Sequence, residues 1–146
     1  MARRTFFSFK YDDVSRAMIV RNSWVTQERS ARGFIDAAEF ESLKRAGDNA
    51  IKRWIDDQMD GTSVTVVLVG PRTSQSRWVK YEIERSKFLG HGLLGIDISK
   101  IKDYNGLISD CCGRMPAGYE FHEWVGGNGY VNMASWIDTA ARAVGR

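Results

Sequence analysis

The chain has 146 residues, 27% of them charged and 43% hydrophobic, with a formal net charge of +3. That length fits one domain with its own core, and that composition excludes a disordered or low-complexity protein. Positive and negative residues are interspersed with no Lys/Arg block, so a nucleic-acid surface is not expected and a small anionic ligand suits the charge equally well. No apolar run approaches a membrane span. The opening MARRTFFSFKYDD lacks the long apolar stretch of a signal peptide, so a cytoplasmic location and no membrane partner are expected. Cys111 and Cys112 are adjacent, a spacing that rarely closes a strain-free disulfide, and are read as free thiols in a reducing compartment. With His91 and His122 as the only histidines, no metal site is expected.

In chain order, Thr5-Phe6-Phe7-Ser8-Phe9 reads as a first strand, and Asp12 and Asp13 open a helix whose dipole favours them. That helix runs from Val14 to about Trp24, with helical spacing at Val14, Met18 and Val25. The segment 33–37 reads as a short strand ending at Asp36. Asp48 is expected to cap a helix carrying Ile51, Trp54 and Ile55. The run 62–69, TSVTVVLV, is β-branched and nearly all apolar, as in a strand covered on both faces of a parallel sheet. Gly70-Pro71 stops it.

A serine-capped amphipathic helix follows over residues 73–86, with Val79 and Ile83 as its apolar pair. Glu82 stands beside that face, between Trp78 and Ser86. Residues 92–98 read as another buried strand, 99–118 as a loop-rich stretch, and 119–125 as a last strand. GGNG then turns the chain into a final helix beginning at Asn132 or Ser135. The alternation predicts a single domain over residues 1–146, α/β and doubly wound, with a mostly parallel sheet and helices on both faces. Ligands of such sheets bind beyond the carboxyl ends of the strands. That edge collects residues 8–11, Asp36, residues 70–77 and the start of the helix holding Glu82.

A phosphoacceptor receiver domain has the same topology, but here the central strand ends Val69-Gly70-Pro71, with no carboxylate to accept a phosphoryl group. Walker A and GxGxxG sequences are absent, as is a GxSxG elbow, and nothing arranges either histidine into a triad.

Taken together and in order, FFSFKYDD, RNSWV, GFIDAAEFE, TSVTVVLVG and RWVKYEIERS resemble the TIR-like proteins of the Thoeris anti-phage defence system. The resemblance runs from residue 4 to about 98, with a fainter echo in EFHEWVGG. It implies a flavodoxin-like, TIR-like fold and cleavage of NAD+ at the nicotinamide glycosidic bond. The ADP-ribose moiety is then cyclised or linked into a signal that activates a separate effector protein. It carries the catalytic glutamate of the W-V-x-Y-E helix onto Glu82. It also implies that NAD+ is a substrate, with no resident cofactor, and that a phage-derived trigger and a homo-oligomer belong among the partners.

A single glutamate suits this chemistry. Nicotinamide leaves without needing a proton, and the positive charge left on the ribose is met by one fixed carboxylate. At the end of the first strand, Phe7, Ser8, Phe9 and Lys10 are candidates for the diphosphate. Asp36 is a candidate for ribose or loop positioning, Trp78 for the nicotinamide wall, and Arg77 for a phosphate. Each has a plainer reading: a solvated helix glutamate, a backbone-bonded Ser8, a turn or cap at Asp36, packing at Trp78. Glu84 points away and is expected to be dispensable; Trp24, Trp54 and Trp136 are assigned to the core. The alternative to the enzyme is a non-catalytic module of the same fold that senses a phage component or assembles with a partner.

Overall fold

The protein is described here by a computed structural model covering residues 4–27, 31–110 and 118–146. Cys111 and Cys112, and with them the end of the loop-rich stretch, lie outside the described residues. Among the described residues five strands form one sheet: β1 (Thr5–Phe9), β2 (Ala31–Arg32), β3 (Val64–Val69), β4 (Gly92–Asp97) and β5 (Glu120–Glu123). Their order is β2-β1-β3-β4-β5. Every neighbouring pair is parallel, with Thr5–Phe9 of β1 in register with Val64–Leu68 of β3. The order reverses direction between β1 and β3, and the crevice at their carboxyl ends is the ligand position of a doubly wound sheet.

Among the described residues there are five α-helices, α1 (Val14–Val25), α2 (Ala37–Ala46), α3 (Asp48–Met59), α4 (Arg77–Phe88) and α5 (Gly129–Ala143). α1 and α5 cover one face, α3 and α4 the other, and α2 packs on α3. Because strand side chains alternate, Phe7, Val66, Leu68, Leu94 and Ile96 meet α1 and α5 through Ala17, Val20, Trp24, Met133 and Ile137. On the opposite face Phe6 packs with Ile55 and Met59 of α3, and Val67, Val69 and Leu93 pack with Val79 of α4. All six residues of β3 are buried, as their unbroken apolar run requires. Among the described residues, no helix is long and apolar enough to cross a membrane.

Four local expectations are corrected. The second strand is Ala31–Arg32, ahead of the 33–37 segment, and Asp36 is instead the N-cap of α2, accepting from the Glu39 N–H at 2.8 Å. α3 begins at Asp48 itself, with Gly47 as its cap. The buried face of α1 is Arg16, Ala17, Val20, Ser23 and Trp24 rather than Val14, Met18 and Val25. Arg16 is tolerated inside because its guanidinium donates to the carbonyls of Ile101 at 2.7 Å and Leu107 at 2.9 Å. Finally, α5 starts at Gly129, after Asn128 in a left-handed conformation (φ 52°). A Cβ at Gly129 would lie 2.1 Å from the Trp124 ring, so only glycine lets this helix start against that indole.

Candidate active site

A cleft of about 280 Å³ opens at the carboxyl end of β1, on the face covered by α2, α3 and α4. Three helices and one strand end wall it. Phe9, Lys10, Tyr11 and Asp12 come from the β1 end, Phe40, Leu43 and Lys44 from α2, and Ile51, Trp54 and Ile55 from α3. Ser76, Trp78 and Glu82 come from α4 and its cap, and Gly33 and Ile35 complete the lining.

Glu82 reaches this cleft because of how α4 is set. Ser76 caps the helix by accepting from the Val79 N–H at 3.2 Å, and Val79 docks on β3 and β4. One turn after Glu82, the Ser86 hydroxyl donates to the Glu82 carbonyl oxygen at 2.7 Å and is hydrogen-bonded to the Thr65 hydroxyl of β3 at 2.6 Å. The helix is thereby fixed to the sheet on both sides of Glu82. The Glu82 side chain then turns under the sheet edge, where its Oε1 accepts from the Ser8 hydroxyl at 2.7 Å.

Glu82 is 6% exposed, and among the described residues the Ser8 hydroxyl is the only hydrogen-bond donor to its carboxyl group. An ionised carboxylate has about four acceptor positions, so most of this one's capacity is unused by the protein. Burial raises its pKa to about 8, against the opposing pull of the Ser8 hydrogen bond. A poorly solvated carboxylate with spare acceptor positions is suited to bind hydroxyls and to meet positive charge as it develops.

The structure brings together Glu82, Ser8, Phe9, Lys10 and Trp78, from two separate parts of the sequence. Lys10 stands 3.3 Å from Asp12, which also accepts from Arg72 at 2.8 Å. Trp78 meets Tyr81 edge-on at 5.9 Å and carries the Arg77 guanidinium 4.6 Å from its ring centroid. Three candidates stand apart. Phe7 is fully buried on the other face of the sheet, against Trp24 and Phe34. Asp36 is exposed and caps α2, and Arg77 donates to Asp48 at 2.8 Å, outside the lining. Glu84 is exposed and pairs with Lys87 at 3.3 Å.

Sequence reasoning missed the whole contribution of α2; Trp54, assigned to the core, does pack against the Phe6, Ile55 and Met59 cluster and also lines the cleft. Tyr11 stacks on Phe40 with centroids 4.5 Å apart and planes 5° from parallel, and the Lys44 ammonium lies 4.5 Å from the Phe40 ring centre. The available signal was the D-x-x-E spacing of Asp36 and Glu39, a helix-start pattern. Among the described residues no three His, Cys, Asp or Glu side chains are grouped to hold a metal ion.

The doubly wound parallel sheet, with a buried glutamate facing a cleft at the β1 end, is a flavodoxin-like α/β domain, and comparison with known proteins narrows the class. The family model described as "Thoeris protein ThsB, TIR-like domain" matches residues 6–103. A Bacillus cereus (strain MSX-D12) protein named "Putative cyclic ADP-D-ribose synthase ThsB1" is 42% identical over 142 residues, covering 87% of this chain and 73% of that relative. The chain belongs to the Thoeris ThsB TIR-like family.

Proposed function

We propose that this protein cleaves the nicotinamide glycosidic bond of NAD+ and converts the ADP-ribose moiety into a cyclic ADP-ribose-type signal, with Glu82 as the catalytic carboxylate. The observation that carries the reading is the burial of Glu82 at the cleft wall with Ser8 as its single described donor. The name of the Bacillus cereus relative supports the same reaction class.

In this reading the nicotinamide riboside end of NAD+ lies between Trp78 and Glu82. The pyridinium cation brings a positive charge next to a carboxyl group that burial alone would keep protonated, and so favours its ionised form. Ribose hydroxyls occupy the acceptor positions that the protein leaves open. As the C–N bond breaks, the electron pair leaves with neutral nicotinamide, and the charge on the ribose is held by the Glu82 carboxylate in a poorly solvated cleft. No general acid is needed. A nucleophile from the ADP-ribose itself then closes the ring at C1 and releases its own proton. Lys10 supplies positive charge for the diphosphate. No resident cofactor takes part.

The signal would act in the cytoplasm, where NAD+ is abundant, on a separate effector protein. A phage-derived trigger and assembly of copies of the chain belong to the same proposal as conditions for turnover. The test is mass spectrometry of products formed from NAD+ in lysates of phage-challenged cells producing the protein. The expected result is nicotinamide together with a product of the mass of cyclised ADP-ribose. Intact NAD+ in challenged cells that mount protection would overturn the assignment in favour of a non-catalytic sensor.

A further inference from the structure

The cleft has a second built part, away from the elements that carry Glu82 and Trp78 in the chain. α2 packs on α3 and presents Phe40, Leu43 and Lys44 to the cleft, while Tyr11 comes from the turn after β1. Tyr11 and Phe40 form a parallel ring stack, and the Lys44 ammonium lies 4.5 Å from the Phe40 ring centre while pairing with the exposed Glu41 at 3.3 Å. Among the described residues no further ring or cation is paired with Tyr11, so its second face is the one on which another flat ring can stack. Lys10 and Lys44 are the two ammonium groups in the lining, one on each side of this stack in sequence. No residue of α2 is buried, so the sheet core gives no packing reason for an aromatic residue at position 40.

We infer that the Tyr11–Phe40 stack with Lys44 is the subsite for the adenylate half of the substrate, the base lying on Tyr11 and the adjoining phosphate between Lys10 and Lys44. This rests on the NAD+ reading for the other end of the cleft. It assigns to α2 the discrimination between a dinucleotide and a mononucleotide, because a nicotinamide mononucleotide would fill the Glu82 end and leave the α2 end empty. It also fixes the distal base in a different part of the cleft from the ribose carbon at which the ring must close.

The probe is AMP, which carries the base, ribose and one phosphate and lacks the cleaved bond. Titration calorimetry on the full chain is expected to show AMP binding to the wild type. Binding should be about tenfold weaker in Tyr11→Ala and in Phe40→Ala, the loss of one base–aromatic stack. Lys44→Ala should weaken it by a smaller factor that shrinks with added salt, whereas Tyr11→Phe and Glu82→Gln should bind as the wild type does. Phe40 and Lys44 stand on a helix with no fully buried residue, and the melting curve of each variant checks that it folds. Equal AMP affinity across all variants, or no AMP binding to the wild type, overturns the subsite even if nicotinamide is released. AMP binding that follows the expected pattern in a protein that releases no nicotinamide instead leaves the subsite standing and removes the reaction.

Discussion

A carboxyl group with a pKa near 8 works against its own role unless something restores its charge, and Ser8 and the substrate cation both act in that direction. The proton state of Glu82 should therefore set the pH dependence. For free enzyme, kcat/KM is expected to rise with pH and level off above about 8, as the carboxylate form accumulates. The kcat profile should level off at lower pH, because the bound pyridinium favours ionisation. Ser8→Ala removes the hydrogen bond that lowers this pKa, so the kcat/KM midpoint should move upward by about one unit. An unchanged midpoint would mean that Ser8 only packs there. At this scale the sequence was legible where a motif pointed: Glu82, Phe9, Lys10 and Trp78 line one cleft, and the buried Ser8 is bonded to Glu82. It misled for Phe7, because strand alternation sends that ring to the opposite face from Ser8.

The position of Glu82 depends on α4 as an element, and α4 depends on its cap and on the Thr65–Ser86 hydrogen bond. Ser76→Ala should destabilise the protein by about 1 kcal/mol, read as a lower denaturation midpoint with an unchanged urea m-value. Stability unaffected by that change would separate the cap from the placement of the helix. β3, β4 and α4 were readable because buried elements carry their period in apolar residues. α2 was not, because its apolar side is only Phe40 and Leu43, half-buried at the cleft, and the clearest signal of its start is the capping pair Asp36 and Glu39. The start of α5 was missed for a similar reason. It is set by the left-handed Asn128 and the approach of Gly129 to Trp124, contacts that no periodicity reports.

For the molecule as a whole, the buried Glu82 carboxyl group costs stability once it must be ionised. Its folded pKa of about 8 exceeds the ordinary value of 4.5, so the folded state binds the proton more tightly than the unfolded state does. The stability linked to this proton is fully present below about pH 4.5 and is lost as pH rises toward about 8. Glu82→Gln keeps an acceptor for Ser8 and carries no charge. It should therefore melt several degrees higher than the wild type at pH 8, with the difference shrinking toward pH 5. A variant that melts lower than the wild type at both pH values would contradict the buried, weakly solvated carboxyl group described here.

The central claim is tested most directly by the rate of nicotinamide release from NAD+ by wild type, Glu82→Gln and Glu84→Gln, each exposed to the same phage-challenged lysate. The account predicts that Glu82→Gln loses at least about a hundredfold in rate while remaining folded. Glu84→Gln, which changes an exposed carboxylate two residues along the same helix, should match the wild type. Nicotinamide release that survives in Glu82→Gln at the wild-type rate would contradict it.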